Sequence, residues 1–243
     1  MDPGYGALYR ELYEKHWWWR ARERVVLDSL QRLVPFGRRI RILDVGCGDA
    51  LLFGKLLEKG DVEGVEPDSA LVSSSNPHRS RIYITSFDEN FLPGKQYDII
   101  LMLDVLEHIC DPITALRHAL SLLSPEGAII VTVPAFNLIW TTHDDLNHHC
   151  RRYTRRTFGE LARAAGMNMD YGRYLFQWAF LAKLAIRAAE AVLGSKPRLP
   201  GIPPWWLNRL LYLASVVEQT VFAAVPVPFG SSLLVIGRAC QPA

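Results

Sequence analysis

Two groups of residues in this 243-residue chain have the types and spacing to do chemistry. The first is Asp44-Val45-Gly46-Cys47-Gly48, with a carboxylate following at Glu66. Glycines in a tight turn let a ligand approach bare backbone where a Cβ would stand in the way. Amides at the start of a following helix favour an anionic group, and a carboxylate at Glu66 can accept both hydroxyls of a ribose. The second group is His143-Asp144-Asp145-Leu146-Asn147-His148-His149, with Arg151-Arg152-Tyr153 directly after it. A metal reading of His143, Asp144 and His148 or His149 lacks the helical H-x-x-x-H spacing that fixes ligands on one face, so no metal is expected.

The elements around these residues follow from periodicity. Ile40, Ile42, Leu43 and Val45 form an apolar strand ending at the glycines, and Leu52 and Leu56, one turn apart before Gly60, indicate a helix. Val62 to Val65 is a second strand ending in Glu66, Ile82 to Ile84 a third, Ile99 to Leu103 a buried fourth, and Ala128 to Val133 a fifth. Asp111-Pro112 opens a helix whose core stripe is Ile113, Leu116, Leu120 and Leu123. Thr154 or Thr157 opens another, closed by Gly166, before a sixth strand from Met167 to Leu175. From Pro134 to Thr154 regular periodicity is lost, and a loop of that length in a compact domain is a functional candidate. Ahead of the sheet stand one or two helices with Val26, Leu30, Leu33 and Val34 facing the core and Pro35 with Gly37 as the stop. Trp17-Trp18-Trp19 cannot share one helical face, so at least one covers a neighbouring site or a ligand.

Two ligands compete for the glycine turn, a dinucleotide and S-adenosylmethionine. Leu51 stands where a dinucleotide fingerprint wants a small residue, and Asp44 suits a ligand carrying an ammonium and a sulfonium rather than a pyrophosphate. The stretch Asp44-x-Gly46-x-Gly48 resembles motif I of class I S-adenosylmethionine-dependent methyltransferases. Leu103-Asp104-Val105-Leu106-Glu107-His108 is similar to the signature shared with ubiquinone-type methyltransferases, and Asp98 matches the acid at the start of that strand. His143-Asp144, His148, Arg151-Arg152-Tyr153 and Thr154 match, in order, a stretch found in some of the same enzymes. The resemblance spans residues 16 to 175 and 230 to 238. It implies the small-molecule methyltransferases of types 11, 12 and 23, and an α/β fold: a Rossmann-like, seven-stranded, mostly parallel sheet with helices on both faces.

The resemblance also implies roles. Arg22, with Arg20 second, would meet the cofactor's carboxylate from an N-terminal cover helix. Asp44, Gly46, Cys47, Gly48, Glu66, Pro67, Leu103 and Asp104 would line the cofactor, with Asp88 on the adenine amino group and Phe87 beside the ring. Trp18, His148, Arg151, Arg152 and Tyr153 would form the substrate side, the arginines holding an anionic or sugar-linked group. His143 is the candidate general base, oriented by Asp144, and His108 the second. S-adenosylmethionine would be the cofactor and S-adenosylhomocysteine the product. A non-catalytic scaffold acting through an apolar insert, or an NAD-dependent oxidoreductase, are the alternatives.

Length fits one elaborated domain, divided as a helical cover (1–37), a cofactor-binding core (38–175), a helical insert (176–229) and the last strand, Ser232 to Ile236, with a tail (230–243). The net charge of +2 argues against general affinity for nucleic acid. Four scattered cysteines and a polar, aromatic N-terminus lead to the expectation of a cytoplasmic protein without a signal peptide. The insert is apolar: a helix over 175–193 with Lys183, Arg187 and Glu190 on one face, a break at Lys196-Pro197, and a second helix over 205–222. On that helix Leu207, Leu210, Val217 and Val221 make the stripe expected to pack, leaving Leu211, Tyr212 and Phe222 for a membrane surface, a lipid-linked substrate or a homodimer.

Overall fold

The computed structural model describes residues 3–34, 37–193, 201–223 and 225–240; Pro35 and the Lys196-Pro197 break lie outside the described residues. Two helices, α1 (Pro3–Lys15) and α2 (Trp17–Leu33), precede the sheet. They divide at His16, which is extended and whose Nδ1 accepts the Trp18 N–H at 3.1 Å, capping α2. Val26 and Leu30 are buried against the sheet, while Leu33 and Val34 are only partly so.

Seven strands form one sheet: β1 (Ile40–Val45), β2 (Gly60–Val65), β3 (Ile82–Tyr83), β4 (Tyr97–Leu103), β5 (Leu123–Pro134), β6 (Met167–Leu175) and β7 (Ser232–Ala239). Their order is β3-β2-β1-β4-β5-β7-β6, parallel through β5, with β7 antiparallel to both β5 and β6. Because chain order reverses between β1 and β4, their carboxyl ends splay apart, and open sheets of this kind take ligands in that crevice. The central strands are buried on both faces. Leu43, Ile100 and Val131 pack toward α4 (Pro112–Ser121) and α6 (Arg155–Ala165), and Ile42, Leu101 and Ile130 toward α2. Each such side chain contributes roughly 1.5–3 kcal/mol by leaving water.

Several local expectations need correction. The helix after the glycines, α3 (Phe53–Leu56), is a single turn, because residues 49–52 are spent in turns. Ile84 lies beyond β3, and Leu123 begins β5 instead of closing α4. The long segment after β5 is folded: a 3-10 turn (Asn137–Ile139) leads into α5 (Thr142–Leu146), whose N-cap Thr141 and Asp144 make a reciprocal capping box. Its two ends meet, with Phe136 N–H on Tyr153 O at 2.9 Å and Tyr153 N–H on Pro134 O at 2.9 Å.

The insert between β6 and β7 is α7 (Gln177–Leu193) and α8 (Trp205–Val221). Glu218 of α8 caps α7, its carboxylate accepting the N–H groups of Gln177 and Trp178 at 2.9 and 3.0 Å. Asn208 ties α8 to the cover: its Oδ1 accepts the Trp17 N–H at 2.8 Å and its Nδ2 donates to Lys15 O at 2.7 Å. The inward face of α8 is therefore polar, with Ser215, Glu218 and Gln219 buried. Leu210, Val217 and Val221, expected to pack inward, point outward with Trp205, Trp206 and Leu213, all exposed, and only Leu207 of the expected stripe is half-buried. Leu211, Tyr212 and Phe222 are the half-buried ones. Hydrophobic periodicity found two stripes on α8, but the polar residues between them decide which one turns inward. No helix among the described residues is long and apolar enough to cross a membrane.

Candidate active site

At the end of β1 the backbone turns through Gly46 and Gly48, at φ +70° and +52°, where only glycine is unstrained. The two glycines serve different ends. A Cβ on Gly46 would lie 2.8 Å from Cγ2 of Val105, so its bareness serves packing, whereas around Gly48 the space is open to a ligand. The Gly48 N–H donates to Glu66 Oε2 at 3.0 Å, and the Asp68 N–H donates to Glu66 Oε1 at 2.9 Å. The Glu66 carboxylate, at the end of β2, is thus oriented by two amides and keeps lone pairs for the cavity beyond. Burial raises its pKa. Asp44 sits behind the turn, away from the cavity wall, and burial pushes its carboxyl up to about 7 against the pull of the Arg22 charge.

The end of β4 faces this turn. Asp104 adopts φ +56°, unusual for a residue with a side chain, and is held there by its N–H on Thr132 O at 2.8 Å and by an ion pair with Arg22 at 2.7 Å. Arg22 is buried, and its Nε is 3.4 Å from Thr132 Oγ1. The three tryptophans go separate ways. Trp17 lies 4.8 Å from the Trp178 ring, Trp18 5.9 Å from Phe176 with Arg22 over its face, and Trp19 packs edge-on against His16.

Beyond Asp104 the chain after β4 meets the folded segment after β5. The Cys150 N–H donates to Glu107 O at 2.8 Å and Tyr153 OH to Leu106 O at 3.1 Å, docking one on the other. Inside, Asp144 is fully buried and takes Nε and Nη2 of Arg152, each at 2.8 Å, and Nδ1 of His149 at 2.8 Å. Although burial alone would raise the Asp144 pKa, these donors hold it far below the usual carboxylate range. Burial lowers His143 to about 4, with the Lys183 charge adding, and lowers His108 to about 4, with His149 adding. Helix α7 closes the far wall. Arg187 donates to Asn137 O and Leu138 O at 2.9 and 2.8 Å, and Thr142 Oγ1 donates to Glu190 at 2.8 Å.

These parts enclose a cavity of about 1470 Å³. A pocket for one drug-sized ligand runs roughly 300–1,000 Å³, so this one has room for two. Of the residues singled out by sequence, Trp18, Arg22, Gly46, Gly48, Glu66, Leu103, Asp104, His108, His143 and Arg152 line it. Others do not. Asp88 is exposed and accepts the Asn90 N–H at 2.9 Å, a loop cap, and Phe87 packs on Phe91 and His118. Cys47 turns its sulfur toward Gly64, and Pro67 stands outside the wall. His148 is exposed, Arg151 donates to Cys110 O at 3.0 Å, and Tyr153 is buried under the loop. Arg20 lies over the Tyr212 ring, against α8. Asp144 orients His149 instead of His143. Sequence reasoning missed Tyr9, Arg10 and Ser73 and gave no site role of their own to Glu107, Asn147 and Lys183, all of which also line the cavity. Lys183 stood on the charged face of the insert helix, a signal that pointed inward; for Tyr9 and Arg10 the sequence carries none.

A family model for a methyltransferase domain matches residues 18–171. Over 99 residues the chain is 29% identical to the ubiquinone biosynthesis O-methyltransferase of Bradyrhizobium diazoefficiens, covering 38% of this chain and 39% of that protein. Over 100 residues it is 33% identical to the enzyme of the same name from Azorhizobium caulinodans, covering 38% and 40%. The chain thus matches about two fifths of the length of these relatives. Among solved structures, the methyltransferase bound to the Haloferax volcanii Trm112 activator superposes with a TM-score of 0.61 at 16% identity, covering 98% of this chain and 97% of that one. SpnF, described as a [4+2]-cyclase, superposes with a TM-score of 0.57 at 18% identity, covering 93% and 84%. At such identities the likeness shows the fold, and SpnF illustrates that one fold hosts different reactions.

Proposed function

The chain belongs to the methyltransferase domain family, of the class I S-adenosylmethionine-dependent kind, and on that premise we propose that it transfers a methyl group to a hydroxyl of an amphiphilic small molecule. The observation that carries the cofactor half is the Glu66 carboxylate, fixed by the amides of Gly48 and Asp68 and presented to the cavity where a ribose diol can meet it. The acceptor half rests on the remaining volume. Its walls change from the charged groups around Asp104 and Arg152 to α7, where Ala179, Ala182, Ile186 and Ala189 make a mainly apolar stretch that Lys183 and Glu190 interrupt. In the reaction an acceptor oxygen lone pair bonds to the methyl carbon as the carbon–sulfur bond breaks. The electron pair stays on sulfur, S-adenosylhomocysteine forms, and the acceptor proton leaves. The protein's part is alignment and exclusion of water.

A lipid-linked acceptor is favoured over a sugar-linked one by α8, whose outward face is apolar with Trp205 and Trp206 at one end. Interfacial helices carry tryptophans in this way, and α8 resting on the cytoplasmic surface of a membrane would set the α7 channel near its substrate. The test offers methyl-labelled S-adenosylmethionine with ring hydroxyls bearing short or isoprenoid tails in vesicles, and with sugar-linked acceptors in solution. Label in the tailed acceptor is expected. Label in sugar acceptors alone, or co-sedimentation with vesicles unchanged by Trp206→Glu with Leu213→Glu, would overturn the lipid reading. Absence of S-adenosylhomocysteine binding would overturn the whole.

A further inference from the structure

Glu107 is fully buried, and neither of its carboxylate oxygens has a hydrogen-bond partner among the described residues. Such a group costs several kcal/mol unless it is protonated or compensated by a cation. Two arginines are close enough to bias it, yet both are committed elsewhere: Arg22 to Asp104 and Thr132, Arg152 to Asp144 and Ala135 O. What does approach Glu107 is a pair of imidazoles. Donor atoms of Glu107, His108 and His149 all lie within 4.8 Å of one another, and the two rings are edge-to-face at 4.8 Å.

From this geometry we infer that Glu107, His108 and His149 form a site for a divalent transition cation of the zinc type on the wall of the methyl-transfer cavity. The ligand set, two imidazoles and one carboxylate, is one that zinc takes with a fourth position open. Ligands about 2.1 Å from a tetrahedral ion stand about 3.4 Å apart, so atoms now within 4.8 Å of one another would close by up to about 1.4 Å. His149 is already prepared. Its Nδ1 faces the Asp144 carboxylate, which can only accept, so the proton is on Nδ1 and the Nε2 lone pair is free. Asp144 is anchored in turn by Arg152, the outer-shell arrangement that fixes a metal-bound imidazole. His108 follows Asp104 by four residues and opens to the cavity. Two segments far apart in sequence supply the ligands, and the Cys150 N–H on Glu107 O holds them in register.

The role of the ion rests on the proposed function: an acceptor hydroxyl in the open position would be oriented beside the methyl group and would lose its proton to water more readily. Its existence does not. The full chain, freed of any purification tag and stripped with chelator, is titrated with Zn²⁺, and separately with Co²⁺ while the visible absorption of a low-coordinate cobalt centre is followed. One Zn²⁺ per chain is expected, with affinity falling at least a hundredfold in Glu107→Gln and in His149→Ala and unchanged in His148→Ala, whose side chain is exposed. Should either variant lack a cooperative melt, His108→Ala, at the open edge of the site, replaces it with the same expectation. No stoichiometric binding by the parent chain, or undiminished binding by folded ligand variants, overturns the site. S-adenosylhomocysteine titration of the stripped parent chain separates this failure from failure of the methyltransferase reading.

Discussion

Replacing Glu66 by glutamine separates what this carboxylate does for the protein from what it does for a ligand. Its Oε2 accepts from Gly48 N–H and its Oε1 from Asp68 N–H. Glutamine keeps one acceptor oxygen and turns an NH₂ toward one of those amides. That clash exists with or without ligand, so it cancels from affinity and appears as lost stability of about 1–3 kcal/mol. The ligand part is one ribose hydroxyl that loses a charged acceptor, about 1.5–3 kcal/mol, or about 10- to 150-fold in affinity at 1.4 kcal/mol per decade. Calorimetric titration with S-adenosylhomocysteine measures it, and a 2′-deoxy analogue closes the cycle. The missing hydroxyl should weaken binding to the parent chain and matter much less to the variant. Full affinity in folded Glu66→Gln, or an equal deoxy penalty in both proteins, would refute the assignment.

Asp44, raised by burial to about 7, favours folding while protonated and loses that advantage as pH climbs from its unfolded value of 3.8 through 7. Asp44→Asn should therefore gain on the parent by roughly 4 kcal/mol between pH 4 and pH 8, read by urea unfolding. Arg152→Met strands the buried Asp144 carboxylate and should cost about 3–5 kcal/mol at pH 7, measured the same way. Once an acceptor is known, His149→Ala should lower turnover more than His143→Ala, whose effect should fall mainly on the Michaelis constant.

The sheet was legible because its strands alternate with helices in a regular hydrophobic rhythm, and the Asp44 to Gly48 turn because glycine at positive φ leaves a mark in the sequence. Glu66 was legible for a related reason: it ends an apolar run. Asp88 was not, because nothing in a single sequence distinguishes a carboxylate that caps its own loop from one that reaches across to a base. The segment 135–153 was recognised by its length, but its internal order depends on a buried ion pair, which leaves no periodicity. The orientation of α8 was misread because a buried Glu218 capping another helix outweighs the apolar stripe opposite it.

Asp144 decides which histidine a carboxylate orients. Sequence proximity assigns it to His143, one residue away, yet the capping box at the start of α5 commits Asp144 Oδ2 to the N–H and hydroxyl of Thr141. Arg152 takes both oxygens from the opposite side, and the bonding left at Oδ1 goes to His149. His143 is left beside Asn147 and the Lys183 charge, and burial keeps its pKa near 4. A base that weak gains little by accepting a proton at neutral pH, so its value is as a neutral wall of the cavity. His149 has the opposite environment, with the Asp144 carboxylate behind Nδ1 fixing the ring and its tautomer and the cavity before it, so the other nitrogen presents its lone pair. The helix cap and the ion pair that fold the loop are thus also what decide which imidazole the carboxylate orients, and α7 is pinned to the same loop through Arg187 and Glu190.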